Sequence, residues 1–374
     1  MPSRTAIRRF QIKSLEIPFK VGFRHASAER TETSSLWVEA VSEAGATGYG
    51  EACPRPYVTG ETLETAAAFF SRHEAGLRDE VVDLASLEAW MTSHAEDLDR
   101  NPAAWCAIEL AILDVLAKDS RQTMEASLSL PTLQGRRFSY TAVLGDADAD
   151  AFRATAERYR QYGFTDFKLK LSGNLERDRE HIEVFRGWST QGLRIRVDAN
   201  NLWNSAGEAA GFLRALDYPF FAIEEPLRPN KYDELARIAE MLDCQIVLDE
   251  SLLREAQIAL LRDAPARWLI NLRVSKMGGL LRSLAVVRAS RAAGIGLIVG
   301  AQVGETSLLT RAGLTVAVAA GDRLIAQEGA FGTWLLARDV CDPPLMFQAG
   351  GVLDVSNYPS LEAPGFGLAV SLSL

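Results

Sequence analysis

The feature that most constrains the fold is a regular alternation of short apolar segments with longer amphipathic ones, beginning near Arg137. Eight of the apolar segments have the length and composition of buried strands: Phe138–Leu144, Phe167–Leu171, Ile195–Val197, Phe221–Ile223, Ile246–Leu248, Leu269–Val274, Leu297–Val299 and Leu324–Ala326. Segments such as Arg153–Tyr162 and Tyr232–Leu242 lie between them and are predicted helices. Repeated βα units predict a parallel sheet, and eight of them predict closure into a TIM-type barrel.

The first third of the chain has a different, α+β character. Three strands are predicted there, at Ile7–Pro18, Leu36–Val41 and Tyr49–Cys53. The best-defined helix begins with Asn101 as its N-cap and Pro102 at the first helical position. We therefore predict three parts: an α+β domain over residues 1–130, the barrel over 131–345, and a C-terminal segment, 346–374, that returns to the first domain.

Composition limits the classes of function. With 48% hydrophobic and 24% charged residues among 374, the chain can bury a substantial core. A net charge of −9 argues against nucleic-acid binding. The sequence contains no run of about 18 apolar residues, so no membrane-spanning helix is predicted. The four cysteines are widely spaced, which argues against structural zinc and favours a reduced, cytoplasmic protein. The motifs of nucleotide-binding, serine-hydrolase and zinc-protease sites are absent from the sequence.

Charged residues recur at the carboxyl ends of the predicted strands, where barrel enzymes carry their chemistry. The series comprises Lys168, Lys170, Asp198, Glu224, Asp249 and Lys276. From Lys170 onward its members are separated by 28, 26, 25 and 27 residues, about one βα unit each. The three carboxylates should therefore converge, and such a group requires a cation to offset its repulsion. Hard oxygen ligands favour Mg²⁺, with Mn²⁺ as a substitute.

The lysines are candidates for proton transfer. Lys168 and Lys170 are two residues apart and therefore face the same side of their strand, the inside of the barrel. Burial and a neighbouring cation both lower the pKa of a lysine, so that it can act as a base near neutral pH. Lys276 is four strands from Lys170, across the barrel. Two working lysines would racemise or epimerise a carbon centre; one would support elimination or lactone chemistry.

Taken in order, these motifs resemble the enolase superfamily, specifically its muconate lactonizing enzyme subgroup. The resemblance rests on Lys168-Leu169-Lys170, Asp198-Ala199-Asn200, Glu224-Glu225-Pro226, Asp249-Glu250-Ser251 and Lys276, and, in the first domain, on Tyr49–Ala52 and Thr59–Thr62. It implies a modified (β/α)7β barrel beneath an α+β capping domain, and an enzyme that removes the proton beside a small-molecule carboxylate. Family members usually assemble as homo-oligomers.

The resemblance also implies roles for residues outside the main series. Asn200 and Glu250 would support the ligands, and Glu305 would orient Lys276. Arg24 and His25, in what looks like the first specificity loop of the cap, would contact the substrate, as would Tyr57 near the second. Glu225 stands where the subgroup commonly has glutamine, which would add negative charge near the metal.

The eighth strand bears on the substrate. Dipeptide epimerases of the subgroup carry an Asp-x-Asp motif there, whereas the matching stretch here, Gly329–Trp334, contains no acid. Phe331-Gly332, followed by Leu335-Leu336, looks more like the cycloisomerases, and Phe331 and Trp334 are predicted substrate contacts.

Four functions are compatible with these residues. The first is a muconate-cycloisomerase-like isomerase of a small organic acid. The second is a racemase or epimerase of N-acyl amino acids or dipeptides. The third is a dehydratase resembling o-succinylbenzoate synthase. The fourth, from another class, is a barrel that binds a carboxylate without catalysis.

Overall fold

The computed structural model describes residues 5–25, 28–188 and 192–371, with side chains omitted for 21–29. In the first part of the chain the described residues form five strands and five helices, in the order β1 (Ile7–Leu15), β2 (Pro18–His25), β3 (Ala28–Glu32), β4 (Ser35–Ser42), β5 (Thr47–Ala52), α1 (Leu63–Glu80), α2 (Leu84–Ser93), α3 (Ala95–Arg100), α4 (Pro102–Asp119) and α5 (Met124–Ser127). An antiparallel sheet has the order β1-β4-β5, and β2 and β3 form a separate hairpin. This hairpin occupies the region in which the sequence predicted a loop.

The buried helix α4 packs directly against strand β5. Two glycines allow the close approach, because a Cβ added to Gly50 would lie 1.8 Å from the carbonyl oxygen of Ala107, and one added to Gly48 would lie 2.1 Å from that of Ala111. The helix starts at Pro102, as predicted, but its N-terminus is not capped by the side chain of Asn101. The backbone N–H groups of Ala103 and Ala104 instead donate to the carboxylate of Glu61, each at 2.8 Å. Glu61 thus fixes the start of α4.

The remainder of the chain contains the barrel and a separate two-stranded sheet. Its elements are β6 (Arg137–Ser139), β7 (Ala142–Leu144), α6 (Ala149–Gln161), β8 (Asp166–Lys170), α7 (Leu175–Arg186), β9 (Arg194–Asp198), α8 (Ala206–Leu216), β10 (Ala222–Glu224), α9 (Tyr232–Leu242), β11 (Gln245–Leu248), β12 (Trp268–Leu272), α10 (Val274–Met277), α11 (Leu280–Ala293), β13 (Gly296–Val299), α12 (Ser307–Ala320), β14 (Leu324–Gln327) and β15 (Val352–Asp354). The predicted first strand, Phe138–Leu144, is divided between β6 and β7.

Strands β7 to β14 form one parallel sheet in sequential order. A backbone hydrogen bond of 2.7 Å from Thr141 to Gln327 joins the two ends of this sheet and closes it. A 3-10 helix, Glu255–Leu261, takes the place of an α-helix after β11, and no α-helix follows β14 among the described residues. The predicted (β/α)7β barrel is therefore confirmed.

The interior of the barrel has an apolar floor. A separate hydrophobic cluster is formed by Ala222, Val247, Leu269, Ile298 and Ala326, one from each of five consecutive strands. Since alternate strand residues face the same side, the residues two positions further along point into the same interior, closer to the carboxyl ends. On β10 that residue is Glu224, and after β11 it is Asp249. Polar side chains thus lie above a packed apolar layer.

Two glutamates of the first part of the chain bind the N-termini of barrel helices. Glu51 accepts hydrogen bonds from the Thr306 hydroxyl at 2.6 Å and from backbone N–H groups at the start of α12. Glu109 accepts from the backbone N–H groups of Leu280 and Leu281 at the start of α11. These carboxylates satisfy N–H groups that a helix leaves unpaired at its N-terminus, and they attach the first part to the barrel.

The C-terminal segment contacts both parts. Strand β15 pairs with β6. The backbone N–H of Phe366 donates to Asp114 of α4 at 2.8 Å, and the Phe366 carbonyl accepts from Arg311 of α12 at 2.9 Å. The predicted domain boundaries at 130 and 345 remain a prediction. Across the described residues, no helix has the length and apolar character needed to cross a membrane.

Candidate active site

The predicted lysines and carboxylates meet at the carboxyl ends of neighbouring barrel strands. In the sheet register Lys170 is the partner of Asp198, and Asp198 is the partner of Glu224. Asp249 directly follows β11, the next strand. Glu224 is the partner of Val247, two residues before Asp249, so the series moves two residues further along at β11.

Lys168 lies at the centre of the carboxylates. Its Nζ is 2.8 Å from Glu224, 3.2 Å from Asp198 and 3.3 Å from Glu328, and only 3% of its side chain is exposed. These three anions raise its pKa, although burial acts in the opposite direction and is the largest single effect. Lys168 is therefore a fixed cation that holds the carboxylates together.

Lys170 is closer to the opening of the barrel, the mouth, with 13% of its side chain exposed. Its Nζ donates to the Asn200 side chain at 3.4 Å and lies 3.9 Å from Asp198. Burial lowers the pKa of Lys170, and the positive charge of Lys168 contributes in the same direction, while Asp198 opposes it. A lysine with a lowered pKa at an opening is suited to accept a proton.

Glu224 and Asp249 are held by donors from β12 and from the residue that follows it. The Asn271 amide donates to Glu224 at 2.9 Å. The guanidinium of Arg273 donates to Asp249 and lies 3.9 Å from Glu224. The pKa of Asp249 is held below its ordinary value by Arg273 and then Lys276, against the effect of burial.

Lys276 lies in the short helix α10, just past β12, and its side chain has no exposure. Its Nζ donates at 2.7–2.8 Å to three oxygens: the Asp249 carbonyl, the Asp249 carboxylate and the Asn271 carbonyl. An ammonium group has three N–H donors, so all of them are used.

Three residues of the site, Arg273, Glu328 and Arg196, were not singled out from the sequence. Glu328 directly follows β14 and accepts from Arg196 at 2.6 Å, and these two cations, Lys168 and then Arg196, lower its pKa to about 2 despite burial. The eighth-strand stretch considered in the sequence began one residue after this acid. Two sequence features could have indicated these residues. Arg273 precedes Lys276 by only three residues, and Arg196 is a charged residue within an otherwise apolar predicted strand.

Glu225, expected to add negative charge near the metal, binds the backbone of the turn that begins at Asp249. It accepts from the backbone N–H of Asp249 at 2.6 Å and from the backbone and hydroxyl of Ser251, each at 2.8 Å. Its backbone φ of +37° turns the side chain away from that of Glu224. Burial and then Glu250 raise its pKa to about 8. Glu225 thus shapes the turn that presents Asp249.

The predicted supporting residues occupy distinct places. Asn200 contacts Lys170, as described. Glu250 is half-buried beside Asp249, and its Oε2 has no hydrogen-bond partner among the described residues. Glu305 accepts from the backbone of Gln302 at 2.6 Å, and the Gln302 side chain accepts from Arg273 at 3.1 Å. This chain of contacts links Glu305 to Arg273, whereas Lys276 was its predicted partner.

The predicted substrate contacts are less closely tied to the site. Arg24 and His25 lie in β2, but their side chains are outside the described part of the molecule. Tyr57 is half-buried, with Arg30 6.0 Å from its ring centroid. Phe331 and Trp334 each pack against Phe347, at 5.6 Å between ring centroids. Trp334 also contacts helix α6 through Tyr159. Their roles with substrate remain predictions.

The donor set fits Mg²⁺ by its chemistry. Asp198, Glu224 and Asp249 provide oxygen ligands from three consecutive strands. In the described residues no three acidic, histidine or cysteine side chains already point at one position as ligands of an ion would. The guanidinium of Arg273 donates to Asp249 and lies 3.9 Å from Glu224, and it thus supplies these carboxylates with positive charge of the kind that a bound divalent ion would supply. The carboxylates therefore fit the ion once this side chain moves aside.

Known proteins have the same architecture as this chain. The chain is 28% identical to the L-Lys-D/L-Arg epimerase of Methylococcus capsulatus, over 97% of this chain and 98% of that protein. It is 26% identical to the N-succinyl-L-Arg/Lys racemase of Bacillus cereus, over 84% and 83%. The crystal structure of the dipeptide epimerase from Methylococcus capsulatus in complex with Mg superposes with a TM-score of 0.81 at 25% identity, covering 98% of this chain and all of that one. The family model of enolase C-terminal domain-like proteins matches residues 151–373, and the chain belongs to that family.

Proposed function

We propose that this chain is a Mg²⁺-dependent enzyme that removes the proton beside the carboxylate of an N-substituted amino acid or dipeptide. The observation that carries the proposal is the juxtaposition of Lys170, at the mouth, with the carboxylates of Asp198, Glu224 and Asp249 on the next three strands. The names of the similar proteins, all epimerases or racemases, indicate the substrate class.

In this proposal Asp198, Glu224 and Asp249 hold the metal. When bound, Mg²⁺ supplies positive charge that stabilises an enediolate relative to the carboxylate from which it forms. Lys168 keeps Asp198 and Glu224 in place by charge and hydrogen bonds. Lys170 accepts the proton at its Nζ, oriented by Asn200, because it is the lysine of the pair that reaches the opening.

The experiment that tests the proposal is exchange of the α-proton in D₂O. N-succinyl-arginine, N-succinyl-lysine and a set of dipeptides, each as both enantiomers at the reacting carbon, are incubated with the protein and Mg²⁺ and followed by ¹H NMR. Exchange that requires Mg²⁺ is expected. Its absence with every compound, under conditions in which calorimetry shows Mg²⁺ binding, would contradict the proposed function.

Cycloisomerisation and dehydration remain predictions from the sequence that use the same residues. Both need proton transfer on one face only. They are separated from epimerisation by product analysis: a lactone or an alkene would be formed instead of the opposite configuration.

A further inference from the structure

We infer that Arg273, and not Lys276, faces the substrate from the wall opposite Lys170, so that the site transfers protons on one face only. The inference rests on the proposed function and specifies its stereochemical course. Strand β12, which precedes Arg273, is four places from β8 in an eight-stranded barrel, and so lies diametrically across it.

The exposed fractions of their side chains divide the four cations Lys168, Lys170, Arg273 and Lys276 into two pairs. Lys170 and Arg273 each have 13% of the side chain exposed, whereas Lys168 has 3% and Lys276 none. The two exposed cations lie on opposite walls. A substrate that enters the mouth therefore meets one amine and one guanidinium.

The contacts of Lys276 explain why it does not exchange a proton with the substrate. Its three donors are used by Asp249 and the Asn271 carbonyl at 2.7–2.8 Å, and these bonds tie α10 to the ends of β11 and β12. To reach a substrate, Lys276 would have to break them inside a buried environment, leaving carbonyl oxygens without donors. Lys276 is a positioning residue for Asp249.

Arg273 is held in the mouth by its own partners. Its guanidinium donates to Gln302, whose backbone is in turn bound by Glu305, and also to Asp249, the contact that it would give up to a bound Mg²⁺. A guanidinium stays protonated in proteins, so it cannot accept a proton from carbon, but its planar donors suit a carboxylate. Arg273 would therefore attract the substrate carboxylate or the charge that develops on it.

The chemical step that follows is one-sided. The Cα–H bond breaks, its electron pair enters the enediolate, and the proton passes to the neutral amine of Lys170. In D₂O the resulting ammonium exchanges its protons with solvent and returns a deuteron to the same face. One enantiomer acquires deuterium with retention of configuration, because no base is present on the other face.

Two measurements on the full-length protein test the inference. In the D₂O experiment, one enantiomer of a compound that exchanges should lose its α-proton signal, while chiral chromatography detects no opposite enantiomer. Exchange of both enantiomers, or formation of the opposite one, would overturn the one-sided site but leave the proposed function intact. Absence of exchange with every compound would count against the proposed function itself.

The second measurement needs no substrate. Trace labelling of lysine amines with acetic anhydride, read by mass spectrometry on the folded protein, should modify Lys170 well before Lys276. Lys276 should reach the rate of Lys170 only after unfolding in denaturant. Equal rates in the folded protein would show that Lys276 is accessible and would overturn its assignment as a buried positioning residue.

Discussion

Two groups of buried carboxylates in the described part of this molecule are neutralised in different ways. At the mouth, Asp198, Glu224 and Asp249 are paired with side-chain cations on neighbouring strands. Where the first part of the chain meets the barrel, Glu51 and Glu109 are bound by backbone N–H groups at helix N-termini. Backbone donors cannot move without unwinding a helix, whereas a side chain such as Arg273 can change rotamer. The mouth can therefore exchange its counter-charges for a metal or substrate, and the interface cannot.

The largest expected effect on activity comes from a substitution at the mouth. Lys170→Ala should lower the rate of α-proton exchange by ~10²–10⁴-fold, the usual contribution of a positioned acid or base. Because Lys170 is at the opening, the melting temperature should change little. Exchange is measured by ¹H NMR in D₂O, and the melting temperature by circular dichroism. A variant with unchanged exchange would remove Lys170 from the proposed role.

Arg311 tests a fixed ion pair away from the mouth. Its guanidinium binds both oxygens of Glu125 at 2.8 Å, and both side chains are buried. Arg311→Met should destabilise the fold by ~3–5 kcal/mol, because it leaves the Glu125 carboxylate buried without a cation. Urea denaturation measures this change. The double variant Arg311→Met, Glu125→Met, which removes both charges, should recover much of the lost stability; failure to do so would indicate that packing, rather than charge, is responsible.

Metal affinity should distinguish the two regions directly. Loss of a residue that only supports a metal ligand lowers metal affinity by ~10- to 100-fold. Asp249→Asn alters a proposed ligand itself, so it should weaken Mg²⁺ binding by at least as much. Glu109→Gln, a matched loss of one buried carboxylate at the interface, should leave the affinity unchanged. Isothermal titration calorimetry measures both. If the two variants bind Mg²⁺ equally well, the mouth carboxylates are not the metal site.

The smallest effect is a pH dependence of stability with opposite sign in the two regions. Burial raises the pKa of Glu51 to about 7 and that of Glu109 to about 8, above the ~4.3 of an unfolded glutamate. Their contribution is complete below pH ~4.3 and is lost as the pH rises through 7 to 8. Glu328, with its pKa lowered to about 2 by its cations against the effect of burial, contributes above pH ~4.3 and loses this contribution as the pH falls towards 2.

Stability measured by urea denaturation between pH 5 and 9 should therefore decline from pH 5 upward and level off above the folded-state pKa values of about 7 and 8. Glu109→Gln should reduce this decline, since a neutral amide does not titrate. A decline of undiminished size in the variant would show that other groups cause it.

The sequence predicted the barrel closely because short apolar segments recur along it at the spacing of βα units. Strand β8, for example, was predicted at Phe167–Leu171 and is found at Asp166–Lys170. The β2–β3 hairpin was missed because β3, Ala28–Glu32, is largely polar and because the sequence between the two strands contains no Asn-Gly, Asp-Gly or other glycine-containing turn pair.

Within the site, Lys170, Asp198 and Glu224 on their strands were placed well, whereas Arg273, just past β12, was missed. The partnership of Lys170, Asp198 and Glu224 follows from sheet register, which the spacing of βα units fixes. Arg273 and Lys276 differ by only three residues, within the variation of loop length. Which of them points into the mouth depends on the helical turn of α10 that begins after Arg273, a backbone detail that spacing does not encode.

The apolar floor formed by Ala222, Val247, Leu269, Ile298 and Ala326 separates scaffold from chemistry. Side chains of this layer set the distances between strands, while those above it contribute little to that packing. Residues at the carboxyl ends of the strands can therefore be replaced, and the substrate specificity changed, without altering the packing of the layer beneath. A chain of this design can change its substrate through a few substitutions and still fold in the same way.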